Sequence, residues 1–298
     1  MYDGIINVYK EKGYTSHDVV AKMRGILKMK KIGHTGTLDP DAEGVLPVCL
    51  GKGTRLCDML TDRSKAYEAV LLLGRETDTQ DTSGKTLAEH PVNVSEETVR
   101  KTIMTFLGKY DQIPPMYSAL KVNGKKLYDL ARAGIEVERQ PREVSILDIQ
   151  IREVDLPRVR FIVGCSKGTY IRTLCYDIGK RLGCGGCMEE LKRIRVGQFE
   201  YKDSLTLAQI EEKRDQGTLD SYIIPVENMF LEYPKVKTIP EFDSRVWNGN
   251  QVRPDQCEGT LPESRVRMYD SKGTFIGVYE YEKDRAWYKP WKTFLGGQ

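Results

Sequence analysis

The 298 residues contain no apolar run approaching the roughly 20 that a membrane-crossing helix needs. The first ten residues, MYDGIINVYK, lack the basic start and apolar core of a secretory signal, so a cytoplasmic protein without membrane attachment is expected. Histidine is scarce, with only His17, His34 and His90, and the seven cysteines form an odd set without framework spacing. That excludes a disulfide scaffold and suits reduced thiols. Cys184-Gly-Gly-Cys187 has metal-ligand spacing, but zinc would need two more ligands and no second CxxC exists, so the pair reads as a glycine-rich turn with no metal. Dinucleotide-binding and Walker glycine patterns are missing, as are repeats and low-complexity tracts. What is present is a globular composition, 40% hydrophobic, enough for a proper core.

A net charge of +3 says little by itself, whereas its distribution says more. Positions 158–195 hold nine Lys/Arg against three acids, and positions 1–31 hold seven against three. Basic clusters of this kind fit a polyanion such as nucleic acid, and they also fit solvated basic faces. Charge leaves the two readings level.

The segment Gly33-His34-Thr35-Gly36-Thr37-Leu38-Asp39-Pro40-Asp41-Ala42-Glu43-Gly44-Val45-Leu46-Pro47 has neither helical nor strand periodicity. Its glycines permit unusual backbone angles, its prolines fix φ, and Asp39 is pushed out of the α region by the proline that follows. A stiff loop presenting Asp39 is expected, with metal ligation, turn capping and catalysis all open.

Gly4 to Lys10 reads as a strand and Thr15-Ser16-His17-Asp18 as the cap of a helix through Leu27. Tyr67 to Leu73 reads as a buried strand, and Gly74 to Gly84 as a loop in which Asp78 and Asp81 bond the turn backbone or hold a metal. Ser95 caps a helix that stops at Gly108, and positions 113–142 look like an insertion mixing basic and aromatic residues. Paired strands are expected at Val144–Val154 and Val159–Cys165, then a helix opening at Tyr170-Ile171-Arg172 and another over Leu207–Asp215. A proline-punctuated linker over 224–240 precedes a β-hairpin around Asp270-Ser271-Lys272-Gly273.

Taken together, several motifs resemble the TruB family of bacterial tRNA pseudouridine-55 synthases. They are the 33–47 segment, Lys65-Ala66-Tyr67, Gly74-Arg75-Glu76-Thr77-Asp78-Thr79-Gln80-Asp81, Pro115-Met116-Tyr117-Ser118-Ala119-Leu120-Lys121, Cys165-Ser166-Lys167-Gly168-Thr169-Tyr170-Ile171-Arg172 and Leu191-Lys192-Arg193, in this order over about 160 residues. One departure is Lys192, where the family commonly has arginine.

The resemblance implies an α+β fold. It comprises a pseudouridine-synthase core with a mixed, largely antiparallel central sheet and flanking helices, an RNA-binding thumb at about 113–142, and a small all-β PUA-like module. The catalytic domain is expected over 1–230 and the module over 231–298. It implies an isomerase that converts uridine 55 in the T-loop of tRNA to pseudouridine on a flipped-out base, as a monomer, without cofactor or obligatory protein partner. Asp39 is then the catalytic residue, acting on the sugar or on the uracil. Arg172 pairs with it and favours its ionised form. Tyr67 stacks on the uracil, Tyr170 and Leu191 line the base pocket, and His34 fills the RNA stem after the base leaves. Isolated, each of these has a plainer reading: Tyr67 and Leu191 as core, His34 as a structural histidine. Two rival functions stand beside this one. A guide-RNA-dependent synthase subunit would have a fuller C-terminal module than the 60 or so residues expected here, and a non-catalytic tRNA-binding folding factor would leave Asp39, Tyr67 and Arg172 unexplained.

Overall fold

The computed structural model describes residues 2–122, 124–259, 262 and 264–295, so Asn123 of the expected thumb and positions 260, 261, 263 and 296–298 of the expected module lie outside it. From the N-terminus the chain forms β1 (Gly4–Lys10), α1 (Ser16–Leu27), β2 (Ile32–His34), β3 (Glu43–Leu50), α2 (Cys57–Thr61) and β4 (Lys65–Leu73). A short ribbon, β5 (Arg75–Thr77) with β6 (Thr86–Glu89), leads to α3 (Glu96–Met104) and β7 (Gly108–Gln112). The insertion holds β8 (Lys121–Val122), β9 (Lys125–Lys126) and α4 (Leu127–Arg132). There follow β10 (Arg142–Asp155), β11 (Arg158–Cys165), α5 (Ile171–Leu182), β12 (Gly186–Val196), β13 (Phe199–Glu200), α6 (Leu207–Asp215) and β14 (Ile223–Ile224). The tail contributes β15 (Lys235–Thr238), α7 (Asp243–Trp247), β16 (Cys257–Glu258), β17 (Arg265–Tyr269), β18 (Phe275–Glu282) and β19 (Trp287–Thr293).

The large sheet runs β14-β1-β3-β12-β4-β11-β10-β7, with β2 on β3 and β13 on β12. Its pairings are antiparallel except β12 beside β3, where Arg193 sits opposite Gly44. The sheet is therefore mixed and largely antiparallel, as expected. A second sheet, β16-β15-β17-β18-β19, forms the C-terminal β module.

Strand alternation explains how three cores share one sheet. From β1 and β3, Ile6, Val8, Leu46, Val48 and Leu50 pack against α1 and α6, while Ile5, Val45 and Cys49 face the other way. That other face meets Val278 of the C-terminal sheet and Phe294 just beyond its last strand, together with Phe230. From β4, Tyr67, Ala69, Leu71 and Leu73 pack against α3 and α5.

Four expectations need revision. Glu43–Leu50 is a strand, because the apolar run through Leu50 is buried at the middle of the sheet, so the shaped loop shrinks to 35–42. The helix capped by Ser95 ends at Met104, and Gly108, at φ 99°, opens β7 instead of stopping the helix. The supposed linker is ordered structure, with Val226, Met229 and Phe230 buried. Finally, β12 carries too little apolar alternation to be read as a strand, yet it lies at the centre of the sheet.

Phe230 is 1% exposed and its ring lies 5.7 Å from that of Phe294 and 6.4 Å from that of Phe275. Phe230→Ala is expected to cost about 3–5 kcal/mol in a urea melt, because a cavity opens where both sheets meet and cannot collapse. A loss below about 1 kcal/mol would mean that this packing contributes little.

Candidate catalytic cleft

The loop carrying Asp39 is held mostly by side chains from other elements. Ser16, at the start of α1, accepts a hydrogen bond from the Leu38 amide at 2.9 Å, and the Gly13 amide donates to the Pro40 carbonyl. Lys10, fully buried on β1, donates to the carbonyls of Pro40 at 3.1 Å and Ala42 at 2.5 Å. Burial lowers the Lys10 pKa to about 8, with Asp39 opposing the shift. From β12, Arg193 donates to the carbonyls of Val45, Thr37 and Gly36. Gly44, at φ 110°, is obligatory, since a Cβ there would lie 2.2 Å from the Arg193 carbonyl oxygen.

Asp39 emerges from this frame with a side chain 42% exposed, against Arg172 of α5. Arg172 Nε lies 3.0 Å from Oδ2 and Nη2 3.4 Å from Oδ1, a two-pronged contact. The same guanidinium donates to the carbonyls of Thr79 and Tyr117 and lies 3.7 Å from Asp81 Oδ2. Arg172 is thus shared by two carboxylates and by the root of the inserted segment. Desolvation pushes the Asp39 carboxyl above its usual range, Arg172 pulls it down, and Asp81 raises it further. Arg172 thus favours the ionised form, as expected of the pair, while desolvation and Asp81 act against it.

A cleft of about 570 Å³ opens in front of the carboxylate, lined by Asp39, Arg172 and Leu191 together with Asp81, Tyr117, Tyr128 and Arg132. Three expected site residues stand behind or beside it. Tyr67 is 7% exposed and belongs to the core beneath, where burial raises its phenol to about 12 and the adjacent Arg193 guanidinium opposes the shift. Tyr170 is half-buried at the N-cap of α5, its backbone held by both ends of the Gln112 amide. His34 ends β2, half-buried, with the His17 ring edge-on at 5.3 Å. Its Nδ1 accepts from the Gly36 amide and burial lowers its pKa, both of which favour the neutral ring.

Asp81 is the residue whose role the sequence understated. It does bond its turn, accepting from the Ser83 amide and the Thr79 hydroxyl, but its second oxygen faces Arg172. Two strand-like bonds, Met188 amide to Gln80 carbonyl and Thr82 amide to Met188 carbonyl, stitch this turn to β12. Gln80 takes φ 64°, rare for a side-chain-bearing residue, and its side-chain oxygen accepts from Thr173 of α5. A non-glycine held at positive φ is visible only in three dimensions.

The basic clusters also change meaning. Arg158 pairs with Glu189, Arg160 with Glu68 and Glu190, and Lys167 with Asp62, while Arg172 and Arg193 are buried. The exposed cations beside the cleft are instead Lys12 and Arg132. Among the described residues no group of His, Cys, Asp and Glu could hold a metal ion, and no helix is long and apolar enough to cross a membrane.

Comparison with known proteins places this cleft in a family context. Residues 24–171 match the profile described as TruB family pseudouridylate synthase (N terminal domain), and residues 172–231 match tRNA pseudouridylate synthase B C-terminal domain. A tRNA pseudouridine synthase B from Lachnoclostridium phytofermentans is 51% identical, covering 98% of this chain and all of that one. The protein of the same name from Staphylococcus aureus strain MRSA252 is 44% identical over 99% of this chain and all of its own. Among solved structures, a Cbf5-Nop10-Gar1 complex superposes with a TM-score of 0.73 at 28% identity, covering 98% of this chain and 85% of that one.

Proposed function

The chain belongs to the TruB family of pseudouridylate synthases, and from that membership we propose that it converts uridine 55 in the T-loop of tRNA to pseudouridine, with Asp39 as the catalytic residue. It is an isomerase: the N1–C1′ bond breaks, the uracil turns, C5 bonds to C1′, the C5 proton leaves and N1 gains one. No group is gained or lost overall, so the reaction calls on a carboxylate and a confined base.

The observation that carries this reading is the Asp39–Arg172 pair at the mouth of a cleft of about 570 Å³. Both Asp39 oxygens are oriented by one guanidinium while part of the carboxylate stays open to the cleft. A flipped nucleotide fits a cavity of this kind, with Leu191 against the base, Lys12 and Arg132 toward its phosphates, and Tyr128 available for stacking. Tyr67, neutral because burial raises its phenol, supports the base from below, and Tyr170 closes the helix side. A neutral half-buried His34 suits insertion into an RNA stack, where a charged ring would be costly to desolvate. We further propose that the enzyme acts alone, as a cytoplasmic monomer. The 44–51% identity to proteins named tRNA pseudouridine synthase B favours this over the guide-dependent reading suggested by the Cbf5 complex at 28%.

Purified protein alone is expected to convert uridine 55 of an unmodified tRNA transcript, scored by chemical labelling of pseudouridine. No conversion without added partners would overturn the stand-alone reading. Tyr67→Phe is expected to lower the single-turnover rate about 10- to 100-fold while tRNA affinity changes less than about two-fold, because the phenol acts after binding. Equal losses in rate and affinity would reduce Tyr67 to a binding contact.

A further inference from the structure

We propose that Arg193 is a positioning residue that registers the Tyr67 phenol against the loop bearing Asp39. The inference rests on the proposed isomerase reading and assigns a function to a side chain that does not line the cleft.

Arg193 is 1% exposed and, among the described residues, makes no ion pair within salt-bridge distance. A buried charge without a counter-ion is costly to keep, and a hydrophobic residue would fill the space with less desolvation. What the guanidinium does there is specific. Nε donates to Val45 at 2.7 Å on the downstream side of the Asp39 loop, and Nη1 and Nη2 reach Thr37 and Gly36 at 3.4 and 3.2 Å on the upstream side. Arg193 sits directly opposite Tyr67 in the β12–β4 pairing, and its charge opposes the rise that burial imposes on that hydroxyl. One rigid fork therefore ties both arms of the catalytic loop to the tyrosine on β4.

The neighbouring cations cannot substitute. Lys65 spends its ammonium on the carbonyls of Thr61 and Arg63, both at 2.8 Å. Lys10 is committed to Pro40 and Ala42. Lys192 points to the opposite face of β12, as strand alternation requires, with Nζ 3.5 Å from the Tyr201 ring centroid. The position where this chain has lysine in place of the family's usual arginine is thus the one facing away from the loop. At 193 the planar donor set is needed, because one ammonium cannot span three carbonyls on the two arms of the loop.

The test is a double-mutant cycle between Arg193→Lys and Tyr67→Phe, read as single-turnover conversion of uridine 55 alongside the Kd for tRNA. Arg193→Lys is expected to lower the rate about 10- to 100-fold with Kd within about two-fold, and to lower it by a several-fold smaller factor once Tyr67→Phe is present, the remainder being its hold on the Asp39 loop. Additive losses, loss of affinity alone, or wild-type turnover by Arg193→Lys would overturn the proposal. A thermal melt identifies variants that remain folded at the assay temperature; if Arg193→Lys does not, Arg193→Gln enters the same cycle and the same outcomes decide. Wild-type protein that converts no uridine would instead count against the proposed function. Wild-type conversion with an additive cycle would count against the role of Arg193 only.

Discussion

Asp39→Asn is expected to lower single-turnover conversion of uridine 55 by about 10⁴-fold or more, with tRNA affinity within about three-fold of wild type. The amide is nearly isosteric, so the loop, held through Ser16, Lys10 and Arg193, keeps its shape. What disappears is the only anionic group on that loop which both faces the cleft and is oriented at two oxygens. Measurable turnover above about 1% of wild type would move the chemistry to another residue, Asp81 first, since it shares the same guanidinium. The pH profile supplies a second check. Desolvation raises the Asp39 carboxyl, so the rate is expected to fall, as pH drops, at a higher pH than an ordinary carboxylate would dictate.

Arg172→Lys is expected to produce the next largest loss, about 10²- to 10³-fold in rate with a smaller effect on tRNA affinity. An ammonium can meet one oxygen of Asp39 but cannot at the same time hold Oδ1, Oδ2 and the carbonyls of Thr79 and Tyr117. The sign of the pH effect follows. Arg172 is the main influence lowering the Asp39 carboxyl, so weakening the contact lets desolvation raise it further and moves the acid limb of the profile to higher pH. A profile that keeps its acid limb while the rate falls would show that Arg172 orients Asp39 without governing its ionisation. A loss confined to affinity would make Arg172 an RNA contact instead.

Much of the fold was readable because its signals are local. Thr15 and Asp18 form a reciprocal cap at the start of α1, and β10 and β11 alternate strongly enough to be paired on sight. The strand at Glu43–Leu50 was hidden because Gly44 opens it and Pro47 interrupts its apolar run, although Pro47 is tolerated between β1 and the loop at Thr35. The strand at Gly186–Val196 was hidden because its middle is charged: Glu189 and Glu190 meet Arg158 and Arg160 of β11 across the intervening β4, a pattern that needs the strand order. Ion pairs engage Arg158, Arg160 and Lys167 of the nine cations over 158–195, and Arg172 and Arg193 are buried.

The candidate site divides along the same line. Sequence alone determined which chemistry was available: an aspartate ahead of a proline on a shaped loop, an arginine opening a helix, Tyr67 and Tyr170 in the same motif set, and motif order enough to suggest the family. Tertiary structure decided how those groups work. Arg172 meets Asp39 across 133 residues of chain, and Arg193 holds Gly36 across 157. Only the sheet order that sets β12 between β3 and β4 makes the Arg193 contacts possible, and only burial sets the directions in which Asp39, Tyr67 and Lys10 shift. Backbone preferences and periodicity act over a few residues, whereas desolvation and long-range hydrogen bonds depend on what packs around a group. The stiffness expected of the Asp39 loop from its glycines and prolines thus comes largely from a lysine and an arginine on distant strands.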